Sequence, residues 1–282
     1  MLLDVKIKNF GGTLPQVSED AVAAFKQHGK DRLADLTRYL KGKENLLDAA
    51  TIEEHLFKVE DADVFLSHAH RDHDQVVRLA VALQDLGLKV FVDSCVWGDA
   101  YTLLNAVDEM YSVDRSKTNT YFYGKVTRTA ANVYMILNVA LQRMIDRCEL
   151  FLFLETDVST ITLQDYADKA EYVGSPWVFS ELAFASTVAR RPRSLALEHL
   201  NENVGKTEDA ALKPLVRFQM PPSSHTLEWA ELHRVIREQL DLKRIQGKDT
   251  LRSLDAIYKP LKLSKAEQRL LAGDLSDAVP VR

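Results

Sequence analysis

The chain has 282 residues, 46% hydrophobic and 27% charged, an ordinary composition for a globular protein with a sizeable core. Its formal net charge of −5 lacks the basic surplus of a general nucleic-acid binder, so no nucleic-acid partner is expected. Two cysteines, Cys95 and Cys148, are too few for a disulfide framework, no secretory signal opens the chain, and no apolar run approaches the roughly 18 residues that span a bilayer; a cytoplasmic protein without a membrane partner is the expectation.

In chain order, Leu2 to Ile7 alternates apolar and polar residues before a Gly-Gly turn, the pattern of an edge strand or an arm. Val22, Phe25, Leu33, Leu36 and Leu40 recur at mostly helical spacing between Ser18 and Leu40, with Gly29 as a break, and a short helix is expected over Thr51 to Phe57. Residues 1–60 therefore read as a helical N-terminal accessory segment. Asp63 to Ser67 is a short buried strand, Asp74 to Leu86 an amphipathic helix ended by Gly87, and Leu88 to Val92 a second strand. Strand, helix and strand with short connections point to a parallel sheet, in which ligands bind beyond the carboxyl ends of the strands.

Tyr101 to Met110 reads as a helix. Ser112 to Thr129 is polar but carries Tyr121-Phe122-Tyr123, which suits an ordered insertion or lid, and Asn132 to Asp146 is a further helix. Leu150 to Leu154 is a fully buried strand, followed by a loop of about twenty residues. Ser175-Pro176 then signals a helix start, with Ser175 as N-cap and Pro176 at the first helical position, and the helix is expected to run to Arg190. Trp177 and Glu181 are four apart and share a face, an aromatic surface beside a carboxylate. Ser194 to Leu197 and Pro214 to Phe218 read as strands, Thr226 to Leu240 as a helix, and residues 241–282 as a helical C-terminal tail.

His68, His70, Asp72 and His73 form an H-x-H-x-D-H cluster that matches the metal-binding signature of the metallo-β-lactamase fold and could hold zinc. The surroundings argue against it. That fold places a β-rich layer before the motif, where residues 18–57 look helical, and its later histidine ligands have no counterparts in strand-end loops. A loop and helix cap is the simpler reading, and no metal is expected. Gly205-Lys206-Thr207 lacks the first glycine of a phosphate loop, and neither G-x-G-x-x-G nor G-x-S-x-G occurs.

Three segments together resemble the Toll/interleukin-1 receptor (TIR) domain family. They are Asp63-Val64-Phe65-Leu66-Ser67-His68 with Asp72 beyond it, Gly87 to Asp93 with Trp97-Gly98-Asp99, and Ser175-x-Trp177-x-x-x-Glu181-Leu182. The resemblance covers residues 61–240, is nearest to the NAD-cleaving bacterial members that act in defence against phage, and is interrupted by an extended segment at about 108–129. It implies an α/β fold with a flavodoxin-like parallel sheet flanked by helices, carrying helical additions at both ends. It also implies NAD+ as substrate without a cofactor, and Glu181 as the catalytic carboxylate. Trp177, Ser67, Arg71, Asp93 and Trp97 would line the NAD+ site, with Arg71 facing the pyrophosphate. Self-association and a downstream effector that senses the product would follow. A non-catalytic scaffold working by self-assembly is the first alternative, and a zinc hydrolase the lesser one.

Overall fold

In the computed structural model, residues 1–12, 15–27, 62–92, 100–117, 120–156, 159–162, 171–193 and 218–273 are described. Five strands lie side by side, every neighbouring pair parallel: β1 (Leu3–Lys8), β2 (Val64–His68), β3 (Val90–Val92), β4 (Leu150–Leu154) and β8 (His225–Glu228) in the order β3-β2-β4-β1-β8. Helices cover both faces, as the α/β, flavodoxin-like expectation requires. The apolar runs Val64-Phe65-Leu66 and Leu150 to Leu154 are strands because both faces of each are buried, so no polar alternation survives in them.

Side-chain alternation divides these strands between two cores. Val5, Leu66 and Leu152 point to one face, against α1 (His73–Asp85), α5 (Trp229–Gln246) and α6 (Thr250–Tyr258). Phe65, Phe91, Phe151 and Phe153 point to the other, beneath α2 (Ala100–Tyr111), α3 (Tyr123–Arg147) and α4 (Pro176–Thr187). Phe65 faces Phe91 and Phe151 in register, with ring centroids 5.2 and 5.5 Å away. Each buried side chain of this size contributes roughly 1.5–3 kcal/mol by leaving water.

Strand β1 departs from the sequence expectation. It is an interior strand, between β4 and β8, and not an edge strand or an arm. Residues 3–8 thus share a sheet with the strands that follow residue 61. The alternation Leu3-Asp4-Val5-Lys6-Ile7 suggested a solvated face, yet Asp4 and Lys6 are buried. Asp4 accepts hydrogen bonds from Arg190 and from the Ser224 N–H at 2.8 Å. The Lys6 ammonium donates to Glu171 at 2.7 Å and to Glu155 at 3.4 Å. Distant residues neutralise the polar half, which lets a half-polar strand lie inside a sheet.

Other boundaries move as well. Residues 19–27 are helical, as expected for that part of the first helix; the rest of it, the Thr51–Phe57 helix and the Ser194–Leu197 strand lie outside the described residues. The long loop after β4 contains β5 (Thr160–Thr162) and β6 (Glu171–Val173), which form an antiparallel sheet with β7 (Phe218–Gln219). Strand β8 falls where a helix was expected to begin: His225 to Glu228 pairs with β1, and the helix starts at Trp229. One buried apolar residue, Leu227, is too little pattern to reveal so short a strand.

Helix α3 begins at Tyr123, nine residues before the expected Asn132. Gly124, Thr127 and Thr129 are weak helix formers, and their composition hid the first turns. A bridge between Val113 and Tyr121 and a 2.7 Å bond from the Phe122 N–H to the Ser112 carbonyl tie this start back to the end of α2. Toward the C-terminus, within the described residues, α6 is capped by Asp249 and α7 (Lys265–Leu271) is opened by a Ser264–Glu267 capping box. Among the described residues no helix is long and apolar enough to cross a membrane.

Candidate functional site

After β2 the chain enters α1 on one face of the sheet; after β4 it passes to α4 on the other. Neighbouring strands whose connections leave on opposite faces define a topological switch point, and the crevice at their carboxyl ends is the usual ligand position. Here those ends carry Ser67 and His68 on β2, and Glu155 and Thr156 after β4. The Thr156 hydroxyl donates to the Asp72 carboxylate at 2.8 Å, which ties the turn after β2 to the loop after β4 across the switch point.

Helix α4 brings the distant carboxylate to this place. Its start is the one expected: Ser175 is the N-cap, its hydroxyl accepting from the Val178 N–H at 3.4 Å, and Pro176 occupies the first turn. Val178, Leu182 and Ala185 form the stripe that meets the sheet, and Glu181 lies on that same buried stripe. Glu181 is 0% exposed, as is Ser67, whose hydroxyl donates to the Glu181 carboxylate at 2.5 Å. A carboxylate carried this far from water needs such a donor, because burial without one disfavours the charge.

The partners of α4 hold it in rotation. Trp177, half-buried, lies against Tyr134 of α3, with centroids 5.6 Å apart and planes at 35°. The Ser180 hydroxyl donates to the Asn138 side-chain oxygen of α3 at 2.6 Å. In register across the sheet, Ser67 of β2 is beside Phe153 of β4, and Phe153 is beside Lys6 of β1. Lys6 is therefore two strand spacings from Ser67, about 10 Å, on the same face. There it joins Glu155 and Glu171, a cation between two carboxylates on the same sheet face as Ser67.

Of the residues singled out in the sequence, Ser67 and Glu181 come into contact. Trp177 is one helical turn earlier, engaged with α3. Arg71 is exposed in the turn at 70–72. Asp93 and Trp97 lie outside the described residues. In the histidine cluster, His68 is buried with its ring 6.4 Å from that of His73, and Asp72 is bonded to Thr156. The side chain of His70 is outside the described set. Among the described residues, no three His, Cys, Asp or Glu side chains converge as a metal site requires.

Cys148 is buried, and that burial pushes its thiol up to about 12, so it is no nucleophile at neutral pH. Thr156, Lys6, Glu155 and Glu171 were not visible as site neighbours from the sequence. The available signal was positional: Glu155-Thr156 follows a fully apolar strand directly, where strand-end chemistry is found. No protein-family model, curated protein or solved structure matches the chain.

Proposed function

We propose that the chain is a TIR-type NAD+ glycohydrolase or cyclase that breaks the nicotinamide–ribose bond, with Glu181 as the catalytic carboxylate. The observation that carries this reading is the meeting of Glu181 with Ser67, 114 residues apart, at the carboxyl end of β2 beside the switch point. A buried carboxylate held by a fixed donor is preorganised, and in its ionised form presents a negative charge in a set direction. Departure of neutral nicotinamide leaves an oxocarbenium-like ribose, and a carboxylate aimed at that carbon lowers the barrier electrostatically. The C–N bond electrons go to the pyridinium nitrogen, so no strong general acid is required. Water then attacks the anomeric carbon and loses a proton to give ADP-ribose, or an internal nucleophile gives a cyclic isomer.

Trp177 walls the pocket one turn before Glu181, and Arg71, exposed at the mouth, pairs with the pyrophosphate. The enclosed carboxylate is reached only after its cover shifts, which fits an enzyme gated by self-association. By the family resemblance, the product is an ADP-ribose-derived signal read by a downstream effector in bacterial anti-phage defence.

The test is incubation of the full chain with NAD+ at concentrations that permit self-association, with chromatography of nicotinamide. Glu181→Gln keeps the fold and lowers release by about 100-fold or more. Full activity in that variant would remove Glu181 from the chemistry. A second reading, a non-catalytic scaffold, is favoured by the complete enclosure of Glu181 and by exposed Tyr121, Phe122 and Tyr123. Self-association without any nicotinamide release, from wild type and Glu181→Gln alike, would establish it.

A further inference from the structure

We infer that Ser67 is a positioning residue that sets the reactive rotamer of Glu181 through its hydroxyl, and is not a substrate contact; the inference rests on the reading of Glu181 as the catalytic carboxylate. The resemblance placed Ser67 among residues lining the NAD+ site. In the fold its hydroxyl hydrogen is directed to the Glu181 carboxylate at 2.5 Å, and the side chain is fully buried. A hydroxyl has one hydrogen to donate, and one committed to a carboxylate is not available to a phosphate oxygen, while the full burial of the side chain keeps its acceptor lone pairs from a ribose hydroxyl.

Three features make this contact directional. Ser67 sits at a strand position pinned on both sides: β2 pairs with β3 and with β4, and Ser67 itself is in register with Phe153. The Glu181 backbone is pinned by the N-cap at Ser175, the bond from Ser180 to Asn138 and the Trp177–Tyr134 contact. Both backbones are fixed, so the Glu181 side-chain torsions decide where its carboxylate points. The hydrogen bond to one carboxylate oxygen, Oε2, favours the torsions that keep it and so gives the other oxygen a defined direction. A misplacement of about 1 Å at a reacting group can cost on the order of 100-fold in rate. Ser67 therefore acts on the chemical step and not on affinity.

The test compares nicotinamide release by wild type, Glu181→Gln, Ser67→Ala, Ser67→Cys and Ser67→Thr in the full chain. Thermal unfolding is followed in parallel. Ser67→Ala and the near-isosteric Ser67→Cys, a weak donor, lower kcat roughly 10- to 100-fold with KM within about twofold. Ser67→Thr keeps the hydroxyl on a residue that suits a strand, and restores most of kcat. A merely structural role would follow the unfolding temperatures across the variants and would not single out the hydroxyl. If Ser67→Ala and Ser67→Cys keep wild-type kcat while Glu181→Gln is inactive, the positioning role is wrong and the assignment of Glu181 stands. A rise in KM at unchanged kcat makes Ser67 a substrate contact and overturns the inference. If Glu181→Gln retains wild-type release, the reading of Glu181 fails and the inference falls with it.

Discussion

The two faces of the central sheet are built from the same strands and differ in what they bury. On the face covered by α1, α5 and α6, Val5, Leu66 and Leu152 meet other aliphatic side chains. On the face covered by α3 and α4, the rings of Phe65, Phe91, Phe151 and Phe153 give way to a polar strip of Ser67, Lys6 and Asp4, with Glu181 above it. The first face gains most of its stability from apolar area and close packing, and its polar contacts, such as Tyr258 to Glu149 and Lys243 to Asp85, lie around the apolar cluster. The second pairs its buried polar groups with partners from distant segments: Glu181 accepts a hydrogen bond from Ser67, Asp4 faces Arg190, and Lys6 lies between Glu155 and Glu171. Buried polar groups are present on the second face, and each needs a distant partner, which makes that face harder to build.

Substitutions on each face test this contrast. The largest effect belongs to the aliphatic side: Leu152→Ala removes a fully buried side chain and costs about 3–5 kcal/mol by urea unfolding, with little change in nicotinamide release relative to folded protein. On the polar side, Asp4→Asn removes the charge that faces Arg190 and costs about 2–3 kcal/mol in the same assay. Replacing both partners, Asp4→Leu with Arg190→Leu, recovers much of that loss, because no buried charge is left over. Equal losses from the single and the double change would mean that the pair is not the source.

A smaller effect is expected at the outer rim of the aliphatic side. Ser264→Ala breaks the capping box of α7 and costs about 1 kcal/mol by thermal unfolding. The partner carboxylate adds a pH signature. Burial pushes Glu267 up, but hydrogen bonds from the Ser264 N–H, from His225 and from the Ser264 hydroxyl outweigh it and hold Glu267 below the ordinary carboxylate value. A depressed acid stabilises the fold above its unfolded pKa and loses that contribution as pH falls through the folded one. The cost of Glu267→Gln is therefore full at neutral pH and shrinks as the pH falls below the carboxylate range. A cost independent of pH would remove Glu267 from the account. The smallest effect is a null one: Cys148, sealed beneath α3, does not react with a thiol reagent in the native protein, and does so after unfolding. Labelling of native Cys148 would show that the α3 face opens.

Much of this organisation was legible because it is local. Ser175-Pro176 marked the start of α4, the four-residue spacing put Trp177 and Glu181 on neighbouring turns, and the runs at Val64 and Leu150 marked two central strands. Glycine closed α1 as read: Gly87 has φ +98°, a conformation that side-chain-bearing residues rarely adopt. What escaped was non-local. The alternation of β1 fits an edge strand equally well until Arg190, Glu155 and Glu171 arrive from more than a hundred residues away. Strand β8 is four residues long and is specified by its pairing with β1, not by its own pattern.

The sequence by itself determined the α/β class, the cap and phase of α4, and the aromatic–carboxylate spacing on it, because propensity, capping and periodicity act within a few residues. Only the tertiary structure decided that β1 lies inside the sheet and that Glu181 turns inward. It also decided that the Ser67 hydroxyl is spent on that carboxylate. Those outcomes depend on which distant groups satisfy a buried charge, and no window of sequence contains both partners.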